Sequence, residues 1–347
     1  MSEEVRVVWV DDDTSRREDA KNLQHRRPNL KVELLSPLEL ESVLGDAEWK
    51  DAKPDLFLLD YYLDRSNDEQ GNRFAHKGLT VAGQIRETLP EHPIYMVTAK
   101  TDAEDEPELG QETRAARATF DRLLSLNILK SEGANILYHD ALDYRAIRQC
   151  KEADLGALIG LLKPPQDETE RLRLVLPTGL REGLRRSESS DRLYVGDAIS
   201  FAAWVRGLLL AVPGILYDEL YAATHLGVND DGFRRLIDKL EEARYEGVFS
   251  KTTPKRWWVS KLNDLVFRHG NAHGAASSDP RKIGPQVFEV GEGDLAKCGV
   301  CGERNPETVG VSLENEADSR PVHFKCSRPH PRRKKELYFD EYRAFDL

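Results

Sequence analysis

Side chains that could bind a metal ion or a phosphoryl group follow three apolar runs in the N-terminal part of the chain. They are Asp60 after residues 54–59, Asp11 to Asp13 after residues 5–10, and Thr98 after residues 94–97. Parallel strands that are buried on both faces have such continuous apolar runs, and chemistry collects at their carboxyl ends. The sequence therefore predicts an acidic pocket for a divalent cation and a phosphoryl group.

The elements that would position these side chains alternate between strand-like and helix-like segments. We predict strands at residues 5–10, 31–35, 55–60, 94–98 and 135–139. We predict amphipathic helices at residues 15–25, 37–45, 78–89, 114–130 and 143–162, with acidic loops inserted at 64–77 and 101–113. Five such alternations are typical of an α/β fold in which helices cover a parallel sheet.

The N-terminal segments resemble the receiver domains of two-component response regulators. The matching segments are Val8–Asp13, Pro54–Asp60, Gly78-Leu79 with Ile85-Arg86, and Val97–Ala99. The resemblance spans residues 1–163 and implies a flavodoxin-like fold with a five-stranded sheet.

This resemblance implies a role for each residue of the pocket. Asp60 would be the phosphoacceptor, and Asp11 and Asp12 would hold Mg²⁺ together with Asp60 and the carbonyl of Tyr62. Thr98 would be the hydroxyl that follows the phosphoryl group and switches the domain. The implied partner is a sensor histidine kinase or another phosphodonor. Phosphoryl transfer needs an in-line nucleophile and positive charge on the equatorial oxygens, and Mg²⁺ held by carboxylates can provide much of that charge.

One position departs from the family pattern, in which a lysine ends the fifth strand. His139 or Asp140 stands at the end of the predicted fifth strand, and Lys163-Pro164 offers the family's dipeptide only after a helix-like segment. The alternative hypothesis is a receiver-like fold that is never phosphorylated and serves for binding or for homodimerisation.

Composition limits the class of protein and its compartment. With 347 residues, the chain is long enough for two or three domains. The net charge of −11 lies almost entirely in residues 1–165, so that half is a poor partner for nucleic acid. Met1–Glu4 lacks the features of a signal peptide, and the most apolar stretch, 201–217, contains Arg206 and is too short to span a bilayer. We expect a cytoplasmic protein.

Three of the four cysteines lie near the C-terminus. Cys298 and Cys301 form a Cys-x₂-Cys knuckle, and Cys326 would be the third ligand of a metal. The fourth would be His323, which repeats the spacing of the knuckle and is favoured, or His330. This clustering predicts a closed, structural Zn²⁺ site in a small zinc-ribbon-like module at 287–347. Ordinary buried cysteines are the alternative.

Between these regions we predict a mainly helical domain at 164–268, with linkers at 164–168 and 269–286. Helices at 216–225 and 231–244, followed by a β-hairpin of 247–249 and 257–259, form a winged-helix pattern.

The basic residues of this domain predict binding to double-stranded DNA. The candidate contacts are Arg234, Arg235 and Lys239 on the second helix and Lys251, Lys255 and Arg256 at the hairpin tip. Because winged helices also dock proteins, the alternative is an adaptor whose receiver-like domain and zinc module bind protein partners without contacting DNA. No catalytic constellation stands out in the second half, so we do not expect an enzyme.

Overall fold

The structure is a computed structural model. It describes residues 3–44, 46, 53–63, 77–98, 119–150, 155–177, 197–272, 279–304, 308–312, 319–323 and 326. The predicted acidic loops, apart from Lys77, and His330 lie outside the described residues. The chain divides into two compact units, which we describe separately. Unit 1 is Met1–Leu162, Arg173–Arg206 and Gly247–Thr253, and unit 2 is Lys163–Leu172, Gly207–Glu246 and Pro254–Leu347. The three predicted domain boundaries stay predictions.

Unit 1 is built around a sheet of five strands. The strands are β1 (Val5–Val10), β2 (Leu30–Leu35), β3 (Leu56–Asp60), β4 (Ile94–Thr98) and β5 (Arg122–Ser125). The helices are α1 (Arg16–Arg26), α2 (Pro37–Leu44), α3 (Gly78–Thr88), α4 (Leu126–Gln149), α5 (Leu155–Gly160), α6 (Glu168–Val175), which has residues in both units, and α7 (Asp197–Trp204).

All five strands are parallel and lie in the order β2-β1-β3-β4-β5. This is the strand order of the flavodoxin-like doubly wound fold. The first four predicted strands and the flavodoxin-like fold of this half are therefore confirmed.

The apolar runs form strands because both faces of the sheet are covered. On one face, Val8, Phe57 and Met96 pack in a single buried cluster with residues of α2 and α3. Helix α4 contacts β1 and β5 and packs against α1. A strand that is buried on both sides must be apolar at nearly every position, which explains why these runs do not alternate.

The predicted fifth strand at 135–139 is wrong, because these residues lie inside α4. Its buried residues recur at helical spacing from Leu129 to Ile147, which places one face of α4 in the core. The fifth strand is instead Arg122–Ser125, which the sequence placed within a predicted helix at 114–130. A run of four residues is too short for its periodicity to distinguish a strand from a helix.

A buried charge cluster joins distant parts of unit 1. Asp140 on α4 is fully buried. Its carboxylate accepts hydrogen bonds from the Tyr95 hydroxyl at 2.5 Å, from Arg122 Nη1 at 2.7 Å, from Arg206 Nη1 at 2.8 Å and from the Thr252 hydroxyl. Burial by itself would raise the pKa of Asp140, but the two guanidinium groups and the hydroxyl donors outweigh it and lower that pKa.

The same cluster holds residues 247–253, which lie between segments of unit 2 in the sequence. The Phe249 amide donates to Asp143 Oδ2 at 2.7 Å, and the Phe249 ring lies 4.9 Å from the Arg206 guanidinium. Phe249 has a φ of 64°, a left-handed conformation that costs a non-glycine residue about 1–2 kcal/mol. The contacts of Phe249 offset that cost.

Unit 2 contains short strands and helices. They are β6 (Leu216–Tyr217), α8 (Glu219–His225), α9 (Asp230–Leu236), β7 (Trp257–Trp258), α10 (Val259–Ala272), α11 (Pro280–Val287), β8 (Thr308–Ser312) and β9 (Ser319–His323). A π-helix at Val205–Leu209 and 3₁₀-helices at Ile237–Ala243 and Glu292–Asp294 accompany them. The core includes Phe233 and Trp257, whose rings meet edge to face at 5.0 Å.

The predicted hairpin of 247–249 with 257–259 is wrong. Strand β7 pairs antiparallel with β6, and a single bridge joins Trp257 to Arg244. The amide of Tyr245 donates to the Arg256 carbonyl at 2.8 Å. Residues 247–253 belong to unit 1, where the Phe249 amide donates to Asp143 Oδ2 at 2.7 Å.

The predicted linker at 269–286 is also wrong where the structure describes it. Helix α10 extends to Ala272, and α11 begins at Pro280. Asp279 caps α11 by accepting from the Arg281 amide, and proline at the first helical position is a helix-start signal. Pro280 therefore marks a helix start and not a linker. Within the described part of the chain, no helix has both the length and the apolar character needed to cross a membrane.

Replacing Asp140 by Asn should destabilise the protein by about 3 kcal/mol near neutral pH, because two partly buried guanidinium groups would lose their fully buried counter-charge. Urea denaturation measures this loss. Glu132→Gln, an exposed change on the same helix, is the matched control and should leave the free energy of unfolding nearly unchanged. Equal free energies for the two variants would contradict the role given to Asp140.

The pH dependence of this difference has a defined sign. Because the pKa of Asp140 is lower in the folded protein, its stabilising effect is present above the unfolded value and is lost as the pH falls through the folded value. The wild type and Asp140→Asn should therefore converge in strongly acidic solution.

Candidate functional site

The carboxyl ends of β1 and β3 bring three carboxylates together. One oxygen each from Asp11, Asp12 and Asp60 lies within 4.8 Å of the others. The register explains the convergence. Val10 pairs with Leu59, so Asp11, which follows β1, and Asp60, the last residue of β3, lie at the same edge of the sheet. We call this cluster the acidic pocket.

Burial and mutual repulsion control the charge of Asp11. Its Oδ1 accepts from the Asp13 amide at 2.9 Å, and its Oδ2 lies 3.4 Å from Arg16 Nε. Burial raises the pKa of Asp11 to about 7, and the charges of Asp60 and Asp12 add to that rise. The Asp13 amide and Arg16 oppose it but do not cancel it.

Asp60 shows the same behaviour. Burial is the main cause that raises its pKa, and Asp12 contributes by repulsion. The amides of Tyr61 and Tyr62 and the charge of Arg16 act in the opposite direction. Carboxylates with raised pKa values and hard oxygen atoms at this spacing fit Mg²⁺, which prefers such ligands and would relieve their repulsion.

Thr98 ends the neighbouring strand. Asp60 pairs with Val97 in the sheet register, so the half-buried Thr98 follows directly beside the acidic pocket. The structure adds nothing on the Tyr62 carbonyl, whose role as a magnesium ligand stays a prediction.

The fifth strand does not end in a cation. His139, Asp140 and Lys163, the residues compared with the family lysine, all lie elsewhere. Ser125 stands there, paired with Thr98, and its hydroxyl caps α4 by accepting from the Ile128 amide at 3.2 Å. Asp140 lies in the buried cluster of α4, and His139, on the same helix, has a ring nitrogen 3.3 Å from Arg27 Nη2. Lys163 belongs to unit 2. The expectation that the fifth strand ends at His139 or Asp140 is therefore wrong, because the strand lies earlier in the chain.

Gly78 allows α3 to begin close to the acidic pocket. Its amide donates to the Tyr61 carbonyl at 3.0 Å. A Cβ at this position would overlap the Asp60 carbonyl oxygen and lie 3.1 Å from the Tyr61 Cα. Only glycine fits this approach without a shift of the backbone.

Arg16 belongs to the acidic pocket, although nothing in the sequence distinguishes it from Arg17. It lies in the first turn of α1, and its guanidinium also pairs with Asp13 at 3.8 Å and Asp19 at 3.2 Å. These carboxylates raise the pKa of Arg16, although its partial burial lowers it. The only sequence signal was a cation one helical turn beyond the acidic end of a strand.

The cysteine cluster of unit 2 forms a second candidate site. One atom each from Cys298, Cys301, His323 and Cys326 lies within 4.8 Å of the others. His323 Nδ1 is 3.3 Å from Cys301 Sγ and 4.0 Å from Cys326 Sγ. The corresponding edge of a tetrahedral Zn²⁺ site is roughly 3.6 Å. The structure therefore fits the ligand set with His323, and His330 is not among the described residues.

Backbone groups shape this knuckle around Cys298. The amides of Val300 and His323 both approach its Sγ at 3.4 Å. Burial would raise the pKa of Cys298, but these and the Cys301 amide lower it to about 7, which favours the metal-binding thiolate. Gly302, with a φ of 73°, closes the turn by donating to the Cys298 carbonyl at 2.8 Å. The antiparallel hairpin of β8 and β9 delivers His323 to the same place.

The six predicted DNA contacts lie in different environments. Arg234 pairs with Glu219 and Asp231, and Arg235 pairs with Asp294. Arg256 donates to the Leu210 carbonyl at 2.8 Å. The other three, Lys239, Lys251 and Lys255, are exposed, and Lys251 belongs to unit 1.

No protein-family model and no curated protein sequence matches the chain. Among solved structures, it is similar to receiver domains. The receiver domain of nitrogen regulatory protein C is 22% identical over 40% of this chain and 97% of that chain, with a TM-score of 0.30. A CheY-like receiver domain from Methanospirillum hungatei JF-1 is 14% identical over 41% and 97%, with a TM-score of 0.31. The response regulator domain of Thermotoga maritima CheB is 19% identical over 40% and 94%, with a TM-score of 0.28. The fold assignment rests on the strand order and register of unit 1 and not on these similarities.

Proposed function

We propose that this protein is a response regulator that accepts a phosphoryl group on Asp60. The convergence of three carboxylates within 4.8 Å, at the edge of the sheet where β4 ends in Thr98, supports this proposal most. A sensor histidine kinase or another phosphodonor in the cytoplasm would supply the group. The proposal requires no catalytic site in the second half of the chain.

The chemistry follows from the positions of the acidic side chains. One carboxylate oxygen of Asp60 would attack phosphorus in line with the bond to the leaving group. With acetyl phosphate, a bond forms between Asp60 and phosphorus, the bond from phosphorus to the acetyl oxygen breaks, and acetate leaves with the electron pair. Mg²⁺ would supply positive charge when held by Asp11, Asp12, Asp60 and the Tyr62 carbonyl. The Thr98 hydroxyl would then donate to a phosphoryl oxygen, which would couple phosphorylation to the end of β4.

We propose that Zn²⁺ binds Cys298, Cys301, His323 and Cys326 in a structural role. Four ligands fill a tetrahedral site and leave no open position for catalysis. Because a small module has little apolar core, metal binding would contribute much of its folding free energy.

The proposed output is binding to double-stranded DNA by a winged-helix arrangement of unit 2. The pairing of β6 with β7, the bridge to Arg244 and the helices α8 and α9 between them support this arrangement. The exposed Lys239 and Lys255 would contact phosphates.

A second candidate is an adaptor that binds protein partners. The ion pairs of Arg234 and Arg235 favour it, since these two side chains would have to leave carboxylates to reach DNA. In this case the receiver-like unit would signal by binding or by homodimerisation.

Beryllofluoride, which mimics a phosphoryl group, should bind the wild type in the presence of Mg²⁺ and should not bind Asp60→Asn. Fluorine NMR detects the bound species directly. Asp46→Asn, a change at an exposed carboxylate, is the control and should behave as the wild type. Equal binding by the wild type and Asp60→Asn would contradict the proposal.

The purified chain should contain one zinc ion, and Cys298→Ser should lose it because a hydroxyl is a poor zinc ligand. Elemental analysis measures the metal content. Cys150→Ser, which lies outside the cluster, should keep the zinc. Zinc-free wild-type protein, or equal zinc in the two variants, would show that the cluster is not a zinc site.

The wild-type protein should bind double-stranded DNA at low salt. The double variant Lys239→Ala/Lys255→Ala should bind it more weakly, and its affinity should depend less steeply on salt. Each lost phosphate contact should reduce the slope of log affinity against log salt by about one. The paired control is Lys21→Ala with Lys31→Ala, two exposed lysines of unit 1. Wild-type protein that does not bind DNA at low salt would leave the adaptor as the better hypothesis.

A further inference from the structure

We propose that Arg16 is the cationic side chain that binds the phosphoryl group of Asp60. The inference rests on the proposed phosphorylation of Asp60 and assigns a further binding residue to the same site. The fifth strand ends in the neutral Ser125, where the family pattern has a lysine. Another residue must therefore supply the positive charge for the phosphoryl group.

Arg16 is the cation that the structure places in the acidic pocket. Its Nε lies 3.4 Å from Asp11 Oδ2, and its charge lowers the pKa of both Asp11 and Asp60. One fifth of its side chain is exposed, so it is open to a small ligand but largely shielded from solvent. Among the described residues, Lys77 and Lys130 are two alternative cations that contact residues around the pocket. Lys77 lies 5.9 Å from the Tyr61 ring, and Lys130 pairs with Asp19.

The Nε atom of Arg16 is a buried donor without a hydrogen-bond partner in the described part of the chain. The 3.4 Å separation from Asp11 is an ion pair and lacks hydrogen-bond geometry, whereas Nη1 does donate to Asp19 at 3.2 Å. A buried donor that makes no hydrogen bond is costly and is uncommon in folded proteins. A phosphoryl oxygen at Asp60 is an acceptor of the right charge for this donor.

The charge balance of the pocket also calls for a second cation. A phosphoryl group brings roughly −1.5 to −2 charges to a place that already holds Asp11 and Asp12. One Mg²⁺ compensates only part of that charge. The guanidinium group is suited to the remainder because its N–H donors form a planar fork that matches phosphate oxygens. The ion pairs of Arg16 Nη2 with Asp13 and of Nη1 with Asp19 would orient the fork.

The proposal separates two effects of removing Arg16. In Arg16→Met, Mg²⁺ alone should bind as tightly as in the wild type or more tightly, because a like charge has left the pocket. Beryllofluoride at saturating Mg²⁺ should bind roughly tenfold more weakly or worse, as expected for the loss of a charge-assisted hydrogen bond. A residue that only neutralises Asp11 would produce the first effect without the second.

The experiment uses the full chain, with calorimetry for Mg²⁺ and fluorine NMR for beryllofluoride. The variants are Arg16→Met, its exposed neighbour Arg17→Met as the matched control, and Lys77→Met and Lys130→Met for the alternative cations. We expect only Arg16→Met to retain Mg²⁺ binding while losing affinity for beryllofluoride. Unchanged beryllofluoride affinity in Arg16→Met, or a loss confined to Lys77→Met or Lys130→Met, overturns the proposal.

Three outcomes separate failure of the inference from failure of the proposed function. If Arg16→Met fails to bind Mg²⁺, the pocket has not formed, and Arg16→Lys takes its place: weakened beryllofluoride binding with Mg²⁺ retained supports the proposal, and unchanged binding overturns it. If the wild type binds Mg²⁺ but not beryllofluoride, the proposed function fails and this inference fails with it. If the wild type binds beryllofluoride and Arg16→Met binds it equally well, only the role of Arg16 fails.

Discussion

Three carboxylates at the ends of neighbouring parallel strands repel one another, and this repulsion governs the chemistry of unit 1. The register of β1 against β3 places Asp11 and Asp12 next to Asp60, within 4.8 Å. Partial burial removes the water that would otherwise screen them, and it raises the pKa of Asp11 and Asp60. A proton, a metal ion or a basic side chain must therefore accompany the three charges. Such a site can respond to ligands, because the binding of a ligand changes whether the carboxylates are balanced by a proton, a metal ion or a basic side chain.

Asp140 illustrates the opposite solution in the same unit. It is more deeply buried than the pocket carboxylates, yet Arg122 and Arg206 compensate its charge and lower its pKa. With hydroxyl donors from Tyr95 and Thr252 as well, the cluster has no evident capacity for a further ligand. We therefore interpret Asp140 as the centre of a structural ion cluster that holds residues 247–253 in unit 1. In the acidic pocket, Arg16 opposes the rise in the pKa of Asp11 and Asp60 but does not cancel it. This difference distinguishes the proposed binding site from the structural cluster.

The parts of the structure that the sequence revealed are those with a strong local signal. The strands ending at Val10, Asp60 and Thr98 are continuous apolar runs. These runs predicted that Asp11, Asp60 and Thr98 lie at strand ends. The spacing of Cys298 and Cys301 is likewise local. The fifth strand was missed because Arg122–Ser125 is short, while a more apolar run inside α4 resembled a strand.

Long-range pairings had no local signal at all. Thr252 meets Asp140 across more than a hundred residues of sequence, and Tyr217 of β6 pairs with Trp257 of β7, far along the chain. The side chain of Arg16 faces Asp11 only because α1 begins where it does. Spacing alone could not distinguish it from Arg17.

Chemical trapping of the phosphorylated residue tests the central claim most directly. The full chain would be treated with acetyl phosphate and Mg²⁺ and then with borohydride, which reduces an aspartyl phosphate to homoserine. Peptide mass spectrometry would then locate the change. The account predicts homoserine at position 60 and at neither position 11 nor position 12. An unmodified Asp60 in a chain that binds Mg²⁺, or modification at another carboxylate, would contradict it.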